Sequence, residues 1–375
     1  MAANRADTER ALQAYVAMRV RWQMSSGLYR REGRLLTLGG AAHLWPFSQA
    51  FVATLVIAGI DPRLTAGFDS EAAIAADLAT LEHYWRADDT PPAYASDVRG
   101  SRVGGDRYYD DNAWIGLALV LLERLRPGSG HLDRALSLYQ FAESGWDQRH
   151  APDAGGVFWV EQGRGLGRRN HDRNLVSTGP NAQLGLQLAE LGRLPDTAAG
   201  AGVGPARMYA WVLATLDESR SGTNPGTGLF WDKVRGDGSI DRSRWSYNQG
   251  TMVGLNVLLA RARSRPEADH LGQAEAIARQ ALRELAGDRL ARQPPAFNAI
   301  FFRNLLGLHA VTGDTRLREE IQLAVRAYAQ ATSAHVLNGR RSRRVRIRMS
   351  LLDESAIVQL LALLAWDPET YDRLA

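Results

Sequence analysis

Apolar residues recur at spacings of three and four along nearly the whole of this 375-residue chain. That spacing is typical of α-helices, and no alternating pattern of comparable strength indicates strands. The segments Ala113–Leu125, Leu132–Glu143 and Met252–Ala262 are clear examples. Breaks at Gly, Pro and Asp divide the chain into about a dozen helices. Their predicted starts lie near Asp7, His43, Ser70, Asp111, His131, Thr178, Pro205, Tyr247, Ala268, Phe297, Thr315 and Asp353.

Every second predicted helix opens differently from its neighbours. The even-numbered helices begin with polar and aromatic residues and then become apolar, as in "YYDDNAW" and "SYNQGTMVG", whereas the odd-numbered ones have ordinary amphipathic patterns. The connections that lead into even-numbered helices are long, at 87–109, 146–177, 218–246 and 333–352. Because alternate helices of an up-and-down array point the same way, these starts and loops should gather at one end.

This alternation predicts an all-α fold, an (α/α)6 barrel of six inner and six outer helices, in a single domain over residues 1–375. An open α-solenoid is the alternative architecture. Stacked repeats would show a fixed repeat length, whereas the motifs here are spaced more widely in the first part of the chain than in the second. The uneven spacing favours a closed barrel.

Composition excludes several classes of function. Without cysteine there is no disulfide and no thiolate metal site, and no His, Asp or Glu cluster has ligand spacing, so we expect neither metal nor cofactor. A net charge of +4 is too small to indicate nucleic-acid binding. No apolar run is long enough to cross a membrane, and the N-terminus lacks the pattern of a secretory signal. These features predict a cytoplasmic protein.

Two adjacent carboxylates, Asp110 and Asp111, stand among aromatic residues at the start of one predicted inner helix. One of them could cap the helix, because Asp is a good N-cap and acids favour the first turn. A second acid has no such use, and aromatic surroundings make its charge costly. Retaining glycosidases need two carboxyl groups about 5–5.5 Å apart, a separation that consecutive residues reach easily. Burial and the neighbouring charge would raise the pKa of one acid, which then keeps its proton.

With these motifs the sequence resembles glycoside hydrolase family 76, the α-1,6-mannanases. The matching blocks occur in family order: "YYDDNAW" (108–114), "GGVFW" (155–159), "STGPNAQL" (177–184), "GLFWD" (228–232), "YNQGTMVGLNVLLAR" (247–261) and "FNAIFFRNLL" (297–306). The resemblance implies an (α/α)6 barrel and a metal-free retaining endo-hydrolase that cleaves α-1,6-mannosidic bonds in α-mannan oligosaccharides or a mannosylated glycolipid. It implies that Asp110 is the nucleophile, Asp111 the acid/base and Asp232 an acid that holds the sugar at the cleavage point.

The loops around the acid pair carry exposed-looking aromatic residues beside amides, the combination that a sugar-binding cleft needs. Together with the resemblance they predict a set of sugar contacts. The set is Trp45, Tyr109, Asn112, Trp114, Trp159, Asn174, Trp231, Asp232, Tyr247, Asn248 and Gln249.

Two blocks depart from the family pattern. Arg173 and Thr178 stand where Lys and Asn are usual, and Asn298 and Ala299 replace a Lys-Gly pair. Both aspartates are present, so these changes bear on substrate preference more than on chemistry.

Other readings of the cleft remain open. A non-catalytic carbohydrate-binding barrel would carry the same aromatics but has no need of an aspartate pair. An uronyl hydrolase or a sugar epimerase of the same fold is a further alternative, and the epimerase would require histidines in the cleft. His43 and His171 are the available candidates.

The run "GRRSRRVRIRMS" precedes the last predicted helix, at the same end of the barrel as the acid pair. Guanidinium groups bind phosphate bidentately, and basic residues are attracted to anionic membrane surfaces. We therefore predict that Arg340, Arg341, Arg343 and Arg344 contact anionic lipid, with the protein peripheral to the membrane. A solvated loop is the alternative, and the absence of interleaved aromatics argues against nucleic acid.

Overall fold

The computed structural model describes residues 2–31, 40–101, 105–148, 154–163, 170–194, 203–220, 228–262, 269–338 and 349–374. Within these ranges the chain forms thirteen α-helices, the tenth of which is a single turn. They are α1 (Ala2–Trp22), α2 (Leu44–Ala58), α3 (Ser70–Leu81), α4 (Tyr109–Leu125), α5 (Leu132–Ser144), α6 (Leu175–Glu190), α7 (Pro205–Thr215), α8 (Ser246–Arg261), α9 (His270–Glu284), α10 (Asp288–Ala291), α11 (Pro295–Val311), α12 (Thr315–Asn338) and α13 (Leu351–Ala365).

Six of these helices form a closed inner ring. In the order α2, α4, α6, α8, α11 and α13, each helix packs against the next, and α13 returns to α2. The inner helices are buried on all sides, as in α2, where every residue from Phe47 to Ala58 is buried. The outer helices bury one stripe only, as α9 does with residues spaced three or four apart. The predicted all-α (α/α)6 barrel is confirmed.

Most inner helices, and the outer helices α5 and α7, begin without a side-chain cap. Among the outer helices, Asp69 and Asp269 cap α3 and α9 by accepting hydrogen bonds from backbone N–H groups in the first turn. Five inner helices have an N-cap residue whose side chain makes no capping hydrogen bond, and only α13 has a capping box. The first-turn N–H groups of the inner helices therefore remain for other partners at this end of the barrel. The five N-caps are His43, Tyr108, Asn174, Trp245 and Pro294.

Two small antiparallel sheets lie in the long loops, where the sequence indicated no strands. β1 (Trp85–Arg86) pairs with β2 (Ala93–Tyr94), with Trp85 opposite Tyr94. β3 (Arg173–Asn174), β4 (Lys233–Val234) and β5 (Ile240–Asp241) form the second sheet in that order. Each strand has two residues, which is too short for the alternation that identifies strands in a sequence. The sheets tie the long loops together over the N-terminal ends of the inner helices.

No helix in the described ranges is both long and apolar enough to cross a membrane. The arginine-rich run lies outside the described residues from Gly339 to Arg348. The predicted lipid contact of Arg340, Arg341, Arg343 and Arg344 therefore stays a prediction.

Candidate active site

The two acids lie in the first turn of α4, directly after its first residue, Tyr109. The N-cap is Tyr108, and its side chain makes no capping hydrogen bond. Neither aspartate is therefore the N-cap, so capping does not explain the pair. Asp110 Oδ1 instead accepts the backbone N–H of Asp111 at 3.0 Å.

A second donor reaches Asp110 from a neighbouring loop. The indole Nε1–H of Trp159 donates to Asp110 Oδ2 at 3.0 Å. Two backbone hydrogen bonds position this tryptophan, from Tyr109 N to Trp159 O at 3.0 Å and from Trp159 N to Asp172 O at 2.9 Å. Each carboxylate oxygen of the half-buried Asp110 thus accepts one N–H group, which favours the ionised form.

Asp111 has a different environment. Its side chain is 8% exposed, and no group in the described part of the chain donates a hydrogen bond to its carboxyl oxygens. Burial, and then the charge of Asp110, raises the pKa of Asp111 well above its usual range. Burial also raises the pKa of Asp110, but its two hydrogen bonds act in the opposite direction. A proton shared by this coupled pair therefore resides mainly on Asp111.

A third acid, Asp232, comes from the loop before β4. Its Oδ1 accepts Asn248 Nδ2 at 3.1 Å, and its backbone oxygen accepts the N–H of Leu175 at the start of α6. Burial raises the pKa of Asp232, and the Asn248 hydrogen bond partly opposes that effect. The charge of Asp232 in turn raises the pKa of Asp110. The barrel thus brings together acids that are distant in sequence.

A second apolar cluster, here called the cleft floor, adjoins the main hydrophobic core, and Trp45 and Leu117 pack against both. Trp45 and Trp114 lie with ring centroids 5.9 Å apart, and Tyr247 and Phe297 lie 4.0 Å apart. The phenol of Tyr247 also hydrogen-bonds Asp232. Apolar rings beside acids are what a pyranose site needs. Five inner helices or their caps contribute the members Trp45, Trp114, Leu117, Val176, Trp245, Tyr247, Phe297 and Ile300.

Two buried carbonyl oxygens beside Asp232 have no hydrogen-bond partner in the described residues. They are Oδ1 of Asn248, whose amide nitrogen binds Asp232, and Oδ1 of Asn174, the N-cap of α6. Buried acceptors without donors cost free energy. Sugar hydroxyls are donors of the required kind, and both residues stay predicted sugar contacts.

Two predicted sugar contacts belong to the main core instead. The ring of Tyr109 stacks on Phe141 with centroids 4.4 Å apart between α4 and α5. Trp231 is 6% exposed, and the guanidinium of Arg242 lies 5.0 Å from its ring centroid. The roles of both residues as sugar contacts stay predictions. Tyrosine and tryptophan in these motifs do not reveal on which side of the backbone they lie.

Two predicted amide contacts, Asn112 and Gln249, hold loops of the cleft in place through hydrogen bonds. Asn112 accepts from Tyr94 N at 2.8 Å and donates to Tyr94 O at 3.0 Å. Gln249 makes the same pair of bonds to Phe230, each at 2.9 Å. Both side chains are fully buried and engage both backbone groups of a loop residue, as a neighbouring strand would. Both side chains therefore position loops of the cleft, and their role as sugar contacts stays a prediction.

Tyr108 was missed by the sequence reasoning. It is half-buried, and its ring lies edge-on to Trp159 with centroids 5.1 Å apart. Burial, followed by the charges of nearby acids that include both members of the pair, raises the pKa of Tyr108 to about 12. The doubled tyrosine was the available signal, but it did not say which of the two residues faces the acids.

The departures from the family pattern make internal contacts. Arg173 donates to the buried Asp147 at 3.1 Å, and Thr178 Oγ1 accepts a backbone N–H at 2.9 Å. Asn298 accepts the hydroxyl of Ser246 at 2.7 Å. These side chains support the loops around the cleft.

In the described ranges, no group of three or more His, Asp or Glu residues could hold a metal ion. The two histidines considered for epimerase chemistry are both exposed. His43 Nδ1 lies 3.4 Å from Asp97, and His171 packs edge-on against Phe158.

The family model of "Glycosyl hydrolase family 76" matches residues 76–356, which is most of the chain. The chain belongs to glycosyl hydrolase family 76. No curated protein sequence matches it significantly. The predicted membership of family 76 is thus confirmed.

Solved structures of family 76 proteins share the fold. A mannosidase of Bacteroides thetaiotaomicron has a TM-score of 0.75 at 22% identity, with 96% of this chain and 98% of that chain covered. An alpha-mannanase of the same organism has a TM-score of 0.75 at 15% identity, with 96% and 95% covered. An alpha-1,6-mannanase of Salegentibacter sp. has a TM-score of 0.67 at 19% identity, with 96% and 99% covered.

We expect the substitution Asp111→Asn to stabilise this family 76 protein, increasingly so as pH rises. The pKa of Asp111 is higher in the folded than in the unfolded chain, so ionisation costs folding free energy as pH climbs between the two values. The free energy of unfolding should increase by about 1.4 kcal/mol for each pKa unit of that difference. Denaturant unfolding at several pH values measures this increase. The control Asp77→Asn should be destabilising, because it weakens bonds from Arg19, Tyr29 and Thr54. A destabilising Asp111→Asn would contradict the environment described for this acid.

Proposed function

We propose that this protein is a retaining endo-hydrolase of α-1,6-mannosidic bonds in α-mannan, with Asp110 as nucleophile and Asp111 as acid/base. Family 76 membership supports glycoside hydrolysis. An inactive variant of the Salegentibacter enzyme, with two consecutive aspartates replaced by alanine, was solved in complex with alpha-1,6-mannotetrose. That complex supports the choice of linkage and an aspartate pair as the reacting groups.

The unequal environments of the two aspartates are the observation that carries the proposal. Asp110 accepts two N–H donors and is the better ionised acid, whereas Asp111 has burial and a neighbouring charge that keep its proton in place. A retaining glycosidase needs one carboxylate and one carboxylic acid at neutral pH. A non-catalytic sugar-binding barrel has no use for that difference, and it is therefore the weaker candidate.

The proposed reaction has two steps. In the first, a carboxylate oxygen of Asp110 attacks the anomeric carbon of the mannosyl unit while Asp111 gives its proton to the departing glycosidic oxygen. In the second, Asp111, now ionised, takes a proton from water, and that water displaces Asp110 from the anomeric carbon. Two inversions at one carbon leave the α configuration unchanged. Consecutive residues suit this mechanism, because an inverting pair must be about 6.5–9.5 Å apart to admit water.

The neighbouring groups have supporting roles in this proposal. Asp232 lies near Asp110 and would accept hydroxyl groups of the sugar at the cleavage point, oriented by Asn248 and Tyr247. The cleft floor would contact the apolar face of the pyranose. The hydrogen bonds of Asn112 and Gln249 hold the loops that carry these groups in place.

The first test is the configuration of the initial product. We expect proton NMR of an early digest of linear α-1,6-mannan to show the α anomer first, with the β anomer appearing only as mutarotation proceeds. Size analysis of the same digest should show a mixture of oligosaccharides, as endo action requires. An initial burst of the β anomer would overturn the retaining mechanism, and release of mannose alone would overturn endo action.

The hydrogen bond from Trp159 gives a second test. Trp159→Phe keeps a ring but removes the N–H that stabilises ionised Asp110, so the pKa of Asp110 should rise further. We expect the acid limb of the kcat/KM profile to move up by about one pH unit, the equivalent of one charged hydrogen bond. Trp45→Phe, a change in the cleft floor, is the control and should leave that limb in place. Equal shifts in both variants would show that the indole N–H has no special effect.

A mannosylated glycolipid is the second proposed substrate, reached through lipid contact of Arg340, Arg341, Arg343 and Arg344. The charge of this run supports that proposal. Its structural basis lies outside the described residues.

A further inference from the structure

A pocket lies inside the barrel, apart from the acid pair, and shares Leu117 with the cleft floor. Its walls come from the middle and C-terminal parts of the inner helices, with the end of the chain beside them. The space measures about 430 Å³, which includes open solvent at its mouth. Six polar side chains line it, namely Arg124, Gln183, Gln187, Arg303, Asn304 and Arg373.

Arg303 carries a buried positive charge for which the described residues supply no carboxylate. Its side chain projects from the middle of α11 and is 9% exposed, and no carboxylate in the described ranges pairs with it. Burial lowers the pKa of the Arg303 guanidinium to about 10, which still leaves it charged at neutral pH. A helix terminus cannot neutralise this charge, because the dipole acts only over the end turns. A buried cation without a counter-ion is strongly unfavourable.

The charges around Arg303 do not supply that counter-ion. Arg124 pairs with Glu190 at 2.6 Å, and the same Glu190 binds Arg261 at 2.7 Å, so one carboxylate serves two guanidinium groups. Asp372 lies near Arg124 and adds a second negative charge there. No carboxylate is among the residues that line the pocket in the described part of the chain.

The polar groups of the pocket are suited to an anion. Arg373, on the helical turn Pro368–Leu374, is exposed at the mouth, which places a second guanidinium near the first. Gln183 donates to Asn304 at 2.8 Å, which fixes both amides in the wall. A guanidinium presents planar N–H pairs that can bind two oxygens of one phosphate at once. A water molecule or a halide ion offers a single acceptor atom and lacks this match.

We propose that this pocket binds a small oxyanion of the phosphate type, either free or as the phosphate group of a monoester, as the counter-ion of Arg303. The site is separate from the acid pair and does not depend on the proposed hydrolase activity. The anionic group would lie against Arg303, and the rest of a monoester would lie at the mouth.

The experiment is thermal unfolding of the full chain in increasing inorganic phosphate, with sodium chloride added to keep ionic strength constant. At about 100 times Kd, binding should raise Tm by about 3 °C for a chain of this length. A parallel series with mannose 6-phosphate distinguishes the source: a response to both identifies a monoester site, and a response to inorganic phosphate alone identifies a site for the free ion. An equal response to chloride would mean a solvent-filled pocket and would overturn the proposal.

Two variants and a control make the assignment specific. Arg303→Gln should abolish the phosphate response and, in phosphate-free buffer, should be at least as stable as the wild type because it removes an unpaired buried charge. Arg373→Gln changes an exposed residue, so it should fold normally and weaken phosphate binding by about tenfold or more. Arg316→Gln, on the outer helix α12, should leave the response unchanged. An undiminished response in both pocket variants would overturn the proposal.

Discussion

Asp110→Asn should lower turnover of α-1,6-mannan by roughly 10⁴-fold or more, because the variant has no nucleophile to form the glycosyl intermediate. The loss should be equally large on an aryl α-mannoside with a good leaving group, since that substrate still requires attack at the anomeric carbon. Steady-state rates on both substrates, with circular dichroism to check the fold, provide the measurement. Within the described ranges Asp110 accepts a single side-chain hydrogen bond, from Trp159, so asparagine should fit without loss of structure.

Asp237→Asn is the matched control for this substitution. Asp237 is an acid in the turn between β4 and β5, where its carboxylate accepts the N–H of Ser239 at 2.9 Å. It belongs to the loops on the cleft side but has no part in the proposed chemistry. We expect it to keep near-normal rates. If Asp110→Asn also did so while remaining folded, the nucleophile would have to be another residue.

Asp111→Asn should lower turnover of α-1,6-mannan by about 10²–10⁴-fold, the usual contribution of a positioned acid/base. Mannan has a poor leaving group, which needs the proton that Asp111 holds. An aryl α-mannoside whose leaving group is stable as an anion needs no such proton, so formation of the glycosyl intermediate should be largely restored for this variant alone. A burst of aryl alcohol followed by slow turnover would reveal it, because hydrolysis of the intermediate still lacks its base.

The pH dependence of the same variant distinguishes the two aspartates. In the wild type, rates should fall on the alkaline side as Asp111 loses its proton, at a pH well above the usual range of an aspartate because burial and the charge of Asp110 raise its pKa. On the activated substrate, Asp111→Asn should lose this alkaline limb and keep the acid limb that reports Asp110. Loss of the acid limb instead would exchange the roles assigned to the two residues.

The helical array followed closely from the sequence. Starts predicted at Ser70, Pro205 and Thr315 coincide with the first residues of α3, α7 and α12, and the largest difference is at the first helix, predicted from Asp7 and observed from Ala2. Apolar spacing and capping residues act within one or two turns of helix, so both can be recognised in the sequence without tertiary structure. The strands were not predicted, because strands of two residues leave no periodic signal.

The acid pair could be predicted from the sequence, whereas the arrangement of the cleft around it could not. Adjacent aspartates among aromatics were enough to single out Asp110 and Asp111, since neighbours in sequence remain neighbours in space. Their assignment as nucleophile and acid remains a proposal, and its physical support is tertiary. Trp159, from a loop 49 positions further along the chain, donates to one aspartate and leaves the other without a donor.

The sequence by itself determined the helices, their alternation and the residues of the acid pair, because each depends on side chains close together in the chain. Only the tertiary structure decided which residues face the cleft. Tyr109 and Trp231 pack in the core while Tyr108 and Trp45 remain half-buried, because the direction of each side chain depends on how its backbone segment lies against neighbouring elements. The charge of Arg303 is of the same kind: that the described residues supply no carboxylate to pair with it depends on which helices surround it, and the sequence does not record that.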